Sequence, residues 1–89
     1  MSCIAPHVAP LQATHERLTW LNPRDDDRYR LVAWTCDCRA VVYELRSSGG
    51  VFFVHRIVQG RPRTITETGR TRAAEAHKLW MAILLGQAR

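Results

Sequence analysis

Two adjacent segments with strand periodicity, separated by a glycine-containing turn, constrain the fold of this chain more than any other feature. Residues 40–46 (A-V-V-Y-E-L-R) repeat with a period of two, which is typical of a half-buried β-strand. Ser47–Gly50 (S-S-G-G) has turn composition. Residues 51–58 (V-F-F-V-H-R-I-V) are largely apolar on both faces, as in a central strand that is covered on both sides. The pattern predicts an antiparallel hairpin.

Weaker signals extend this hairpin into a small α+β fold. Arg30–Thr35 and Thr64–Glu67 are rich in strand-forming residues, and the second of these predicts a short edge strand. An apolar stripe at helical spacing predicts a helix from about Arg72 to Leu85, with Thr71 as its N-cap and Gly86 just past its end. We therefore predict an antiparallel sheet of three to four strands followed by one C-terminal amphipathic helix.

The length of 89 residues predicts one domain, of a size at which oligomerisation often adds stability. Residues 1–28 predict an irregular N-terminal arm, because Pro6 and Pro10 stand among small and polar residues. Within it Leu18–Leu21 suits a short strand or a single helical turn, and propensity does not decide between them. Residues 29–89 predict the compact domain.

The chain shows no sign of a secretory signal or a membrane span. Met1–Ala13 lacks a basic start and a continuous apolar stretch, and Leu79–Leu85 is far shorter than the roughly 20 residues that a bilayer requires. We therefore expect a cytoplasmic protein without a membrane partner. Its three cysteines are then expected to be reduced thiols or metal ligands.

A metal site is one interpretation of the cysteines. Cys36 and Cys38 stand two residues apart, and Cys3 and His7 stand four apart, so the four side chains supply a Cys3His ligand set of the kind that binds zinc. The alternative is that the cysteines are small buried apolar residues at a strand end. No motif for any other cofactor is evident.

A direct nucleic-acid interface is a second interpretation, since the formal net charge is +5. Between positions 56 and 72 Glu67 is the only acid. The basic residues of this stretch are Arg56, Arg61, Arg63, Arg70 and Arg72. The alternative is an ordinary solvated surface.

Catalytic motifs are not evident in the sequence. It contains no G-x-S-x-G, no Gly-rich phosphate loop and no H-E-x-x-H. A thiol–imidazole pair of Cys36 or Cys38 with His55 is conceivable, but no spacing favours it. We therefore predict that the protein is not an enzyme.

The end of the helix carries more apolar side chains than one sheet face requires, which indicates a second contact. That contact is either the N-terminal arm or another subunit, and in a chain this short we predict a homodimer. The predicted partner or dimer interface comprises His77, Trp80, Met81, Leu84 and Leu85.

The order of these segments resembles a family of very small actinobacterial proteins, the BldB-like developmental regulators and their relatives encoded beside WhiJ-type regulators. The resemblance covers about residues 29–89. It is carried by Val42, Tyr43, Gly50, Val51, Trp80 and Leu84. It implies a dimeric regulatory or adaptor protein without enzymatic activity. From the apolar helix end and the lack of a catalytic grouping, we expect a homodimer that acts by binding another protein, such as a transcriptional regulator. Cys36, Cys38 and the proline-containing arm have no counterpart in this resemblance.

Overall fold

A computed structural model describes residues 4–24 and 28–89. Four antiparallel strands form one sheet in chain order: β1 (Arg30–Trp34), β2 (Val41–Ser48), β3 (Val51–Val58) and β4 (Thr64–Glu67). One helix, α1 (Ala73–Leu84), follows them. The predicted α+β class, strand number and C-terminal helix are therefore confirmed. In the described ranges no helix has both the length and the apolarity needed to cross a bilayer.

The β2–β3 hairpin closes more tightly than the sequence pattern predicts. Its register runs from Val41 opposite Val58 to Ser48 opposite Val51, so both serines belong to the strand. The turn itself is Gly49-Gly50, with φ values of 59° and 83°. Positive φ at both central residues is the geometry of a type I′ turn, whose twist matches that of the strands and which glycine adopts without strain.

The two faces of the sheet are covered differently. On the helix face, Tyr43, Leu45 and Val54 pack in one buried cluster with Ala76, Trp80 and Ile83 of α1. We call the opposite side the open face, because within the described chain α1 packs on the helix face only. The open face includes Val42, Phe53, His55, Ile57 and Glu67, all of which are nevertheless buried.

Helix α1 begins one residue later than predicted. Its N-cap is Arg72, whose backbone is extended and whose side chain makes no capping hydrogen bond. Thr71 is not the cap, because its backbone pairs with Phe52 through two hydrogen bonds of 2.8 Å. Glu75 lies in the first turn, where a carboxylate interacts favourably with the helix dipole.

Gly86 ends the helix, as predicted. Its φ is +74°, its N–H donates to the Ile83 carbonyl at 3.2 Å, and the N–H of Gln87 donates to the Ala82 carbonyl at 2.8 Å. These two bonds form a Schellman motif, which satisfies carbonyls that the helix leaves unpaired.

The N-terminal arm packs against the end of α1 and continues the same core. The N–H of Ala9 donates to the Leu84 carbonyl at 2.8 Å, and that of Gln12 donates to the Gly86 carbonyl at 2.9 Å. Further along, Glu16 bridges to Ala88 and Leu21 bridges to Glu67. The described part of the arm contains no regular strand, and these bonds connect it to the domain at several points between Ala9 and Leu21.

Candidate metal centre

The structure brings together three of the four residues that the metal interpretation of the sequence names. Ligand atoms of His7, Cys36 and Cys38 all lie within 4.8 Å of one another. Cys36 is buried, whereas Cys38 and His7 are exposed. The fourth residue of that interpretation, Cys3, lies outside the described residues. Two segments distant in sequence, the arm and the β1–β2 loop, thus meet at one thiol–imidazole cluster.

Backbone contacts hold these two segments in place. The N–H of Cys36 donates to the carbonyl of Pro6 at 2.9 Å, directly beside His7. Thr35 is fixed to β2, since its Oγ1 accepts a hydrogen bond from the N–H of Tyr43 at 2.9 Å. The cluster therefore rests on the end of β1, which the sheet positions, and on an arm residue bonded to it.

A side chain just after the end of β3 supports the β1–β2 loop from the other direction. The amide nitrogen of Gln59 donates to the carbonyls of Asp37 and Arg39, at 2.9 and 2.8 Å. These bonds constrain the loop that carries Cys38. Limited loop freedom favours metal binding, because fewer conformations are lost when the ligands are ordered.

His7 interacts with groups on both sides of its ring. Its Nε2 lies 3.1 Å from the Sγ of Cys38, and its Nδ1 lies 3.2 Å from an Arg39 guanidinium nitrogen. A guanidinium can only donate, so Nδ1 accepts and Nε2 carries the proton toward sulfur. A metal bound at Nε2 requires the opposite tautomer, with the proton on Nδ1. Metal binding through Nε2 therefore requires Arg39 to leave His7.

The spacing of the ligand atoms is close to that of a tetrahedral zinc site. Zn–S bonds of about 2.3 Å and Zn–N bonds of about 2.0 Å place ligand atoms about 3.5–3.8 Å apart. The 3.1 Å and 4.8 Å limits observed for His7, Cys36 and Cys38 bracket that range. Side-chain adjustments of about 1 Å therefore suffice to bind the ion. Two thiolates and one imidazole are a donor set that suits zinc.

The thiol–imidazole pair with His55, which no spacing favoured, is not the cysteine–histidine contact seen among the described residues. Cys38 instead contacts His7 of the arm. His55 lies on the open face, opposite Glu44 of β2 and opposite Glu67 of β4. The three cross-strand neighbours make a titratable row, because residues directly opposite on adjacent strands share one face.

Two arginines neutralise the carboxylates of this row. Arg46 forms a salt bridge with Glu44, and an Arg70 nitrogen lies 3.2 Å from Glu67. The His55 Nδ1 has no hydrogen-bond partner among the described residues, and its nearest carboxylate oxygen, on Glu67, is 3.8 Å away. Burial lowers the pKa of His55, and Arg46 lowers it further, against the opposing effects of Glu44 and Glu67. A smaller lowering comes from Arg63.

A pH-dependent stability follows from the lowered pKa of His55. Between pH 6.5 and the folded-state pKa, the unfolded chain binds a proton at this residue that the folded chain does not. The free energy of unfolding is therefore expected to fall as the pH drops through that window, by at most about 1.4 kcal/mol per pH unit.

Urea denaturation at a series of pH values, compared with His55→Gln under identical metal conditions, measures this effect. The substitution itself changes the free energy of unfolding by an amount that does not depend on pH. The prediction therefore concerns only the slope of the free energy of unfolding against pH, compared between the two proteins. Equal slopes for the two proteins below pH 6.5 would contradict the prediction.

The five arginines of the predicted nucleic-acid interface do not lie on one face. Arg56 of β3 points to the helix face, with its guanidinium 5.3 Å from the Trp20 ring. Arg70 lies on the open face, 4.0 Å from the Phe53 ring. Arg61 and Arg63 are exposed in the β3–β4 loop, and Arg72 is exposed at the start of α1. The structure thus separates the set into four places: the helix face, the open face, the β3–β4 loop and the start of α1.

The residues of the predicted partner interface divide by burial. Trp80 is buried in the helix-face cluster and Leu84 is half-buried against it. Met81 and Leu85 are exposed, by 52% and 48%. His77 is exposed as well, with Nδ1 2.8 Å from the Ala73 carbonyl and its ring beside Phe52. The arm, one of the two predicted covers, packs Val8, Leu18 and Trp20 against the helix-face cluster.

Sequence patterns did not indicate a basic cavity on the helix face. It includes Arg17 and His15 of the arm, Arg56 of β3 and the final residue, Arg89. These positions are far apart in the chain, and only the return of the arm along the C-terminal segment brings them together. No local spacing rule could have found this group.

Comparison of the chain with protein-family models, with curated proteins and with solved structures finds no match. The resemblance to the BldB-like and WhiJ-associated proteins therefore stays a prediction.

Proposed function

We propose that this protein is a non-enzymatic, zinc-stabilised binding domain. The observation that supports it is the convergence of His7, Cys36 and Cys38 within 4.8 Å, on an arm and a loop that separate hydrogen bonds already hold together. Thiolate and imidazole ligands at this spacing favour zinc over harder cations.

The metal acts here as a clip between the arm and the sheet. His7 belongs to the arm, whereas both cysteines follow β1, so one ion joins segments about 30 residues apart in sequence. The arm in turn covers the end of α1 through Ala9 and Gln12. Zinc then stabilises the whole helix face, because the free energy of metal binding adds to that of folding.

Metal analysis of protein purified without chelators tests the proposal. We expect about one zinc per chain, as for a single tetrahedral site, and a fall in melting temperature when a chelator removes it. Cys36→Ser, Cys38→Ser and His7→Gln are each expected to reduce bound zinc several-fold. Because Cys36 is buried and its variant could misfold, the exposed His7 and Cys38 carry the decisive comparison. Less than about a tenth of an equivalent in the wild type rejects the site.

Arg39→Met provides the matched control. It removes a group that contacts His7 but cannot bind a metal, so zinc content should stay at the wild-type level. Cys3→Ser identifies the fourth ligand: loss of zinc indicates a closed Cys3His site, and retention indicates a fourth position open to water. If Arg39→Met loses zinc while the His7 and Cys38 variants retain it, the proposed ligand set is wrong.

A second candidate is the homodimeric adaptor that binds another protein, such as a transcriptional regulator. Its supporting observation is the exposure of Met81, in the last turn of α1, and of Leu85, the C-cap residue four positions further on. Methionine is enriched at protein interfaces. Zinc binding and dimerisation use different residues, so both functions can coexist.

A further inference from the structure

A cavity of about 510 Å³ lies between the arm and the helix face of the sheet. Its walls include His15, Arg17 and Trp20 from the arm, Tyr43 and Arg56 from the sheet, and Arg89. A neighbouring cavity of about 330 Å³ shares Tyr43 and Arg89 with it. Both volumes fall in the range of about 300–1,000 Å³ that is typical of small-molecule sites.

The cavity is strongly electropositive. Three arginines and one histidine line it, and no Asp or Glu from residues 4–24 or 28–89 does. Elsewhere in the fold arginines pair with acids, as Arg46 does with Glu44 and Arg70 does with Glu67. Several cations that converge without a carboxylate concentrate positive potential in a cleft, which attracts anions.

Arg56 is the residue whose hydrogen-bonding needs point most directly to a ligand. Its Nε is buried and has no hydrogen-bond partner among the described residues. Its guanidinium packs 5.3 Å from the Trp20 ring, which positions the charge without neutralising it. A buried donor without an acceptor is costly, so a shift of the Arg56 side chain that brings this N–H within reach of a phosphate oxygen would be favourable.

Arg89 supplies a fixed second charge. Its two terminal nitrogens donate to three carbonyls, those of Ile83, Ala88 and Ala9, at 2.6, 3.1 and 2.7 Å. These acceptors are neutral, so they hold the guanidinium in place without cancelling its charge. Trp20 and Tyr43, with ring centroids 6.0 Å apart, add an aromatic wall beside the two cations.

We propose that this cavity binds the phosphate group of a small phosphate monoester, with Arg56 and Arg17 as its direct ligands and Arg89 as a fixed neighbouring charge. Arginine suits this role because its planar fork donates two parallel hydrogen bonds to one phosphate. The aromatic wall suits a ligand whose phosphate is attached to a ring system, as in a mononucleotide.

Isothermal titration calorimetry of the full chain in a phosphate-free buffer tests the proposal, with AMP, inorganic phosphate and adenosine as probes. We expect saturable binding of AMP and weaker binding of phosphate alone, whereas adenosine should bind least. Absence of saturable heat with both AMP and phosphate at millimolar concentration overturns the proposal. Tighter binding of adenosine than of AMP overturns it as well.

Arg56→Met is expected to weaken AMP binding about tenfold or more, as for loss of a hydrogen bond to a charged group. Arg17→Met, at an exposed position where misfolding is not a concern, should weaken it in the same direction. The matched control is Arg61→Met, which removes the same charge from an exposed loop outside the cavity and should change the affinity less than about twofold. Equal losses in Arg56→Met and Arg61→Met refute the site.

A single-stranded oligonucleotide provides the remaining comparison. If it binds more tightly than AMP and Arg61→Met weakens it as much as Arg56→Met does, the exposed arginines bind a polymer backbone and the cavity proposal is wrong. Zinc content measured on the same samples keeps this test separate from that of the metal centre, since the two sites share no ligand residue.

Discussion

Gly86→Ala is expected to lower the free energy of unfolding by about 2–4 kcal/mol, the combined cost of a strained backbone and local overpacking. Gly86 has a φ of +74°, which an L side chain adopts only with strain. A Cβ at this position would overlap with the carbonyl oxygen of Pro10 and lie 3.0 Å from its carbon. The arm must then move away from the helix end. The hydrogen bonds from Ala9 to Leu84 and from Gln12 to Gly86 weaken with it.

Urea denaturation followed by circular dichroism measures this loss. Gly69→Ala is the matched control, because a Cβ at Gly69 meets no atom within 4 Å, and it should change stability by less than about 0.5 kcal/mol. If Gly86→Ala is as stable as Gly69→Ala, the arm does not pack against the end of α1 in solution.

Trp80→Ala is expected to cost about 3–5 kcal/mol, which would leave little of the net stability of a domain this small. The Trp80 side chain is 6% exposed and packs in the cluster that contains Tyr43, Leu45 and Val54. Its removal leaves a large cavity in the core. The same experiment on Met81→Ala, the next residue along α1 and 52% exposed, should show a change of less than about 0.5 kcal/mol.

This pair of variants also distinguishes a core residue from an interface residue. Light scattering on Met81→Glu reports whether the exposed side of α1 joins two chains: a dimeric wild type that becomes monomeric in the variant supports the adaptor candidate. If Trp80→Ala keeps its stability and changes only the oligomeric state measured by light scattering, then Trp80 belongs to an interface between chains and not to the core.

Much of the fold could be predicted from local patterns. The period of two in residues 40–46 and the run at 51–58 predicted β2 and β3, because a strand buried on one or both faces must carry matching apolar side chains. The Gly86 helix end was also predictable, since few other residues adopt a positive φ. The N-cap was not predictable in this way. Thr71 has a high propensity for the N-cap position, but its backbone pairs with Phe52 instead, a contact that no local pattern reveals.

For the candidate sites, the sequence indicated some of the residue types, but only the fold brought the residues together. Cys36, Cys38 and His7 stood out by residue type, because few side chains bind metals, but their convergence depends on the arm returning to the end of β1. The basic cavity had no sequence signal at all. Arg17, Arg56 and Arg89 lie on three separate segments, and Arg56 was assigned to a different surface together with Arg70.

The sequence by itself thus determined the elements of this protein, since strand and helix formation depend on side-chain periodicity and turn chemistry over a few neighbouring residues. Only the tertiary structure decided where the N-terminal arm lies. Its proline-containing residues carry no periodic pattern, and its position depends on carbonyls at the helix end that the chain must satisfy. That placement packs Val8, Leu18 and Trp20 against the core, completes the His7–Cys36–Cys38 cluster and forms one wall of the basic cavity.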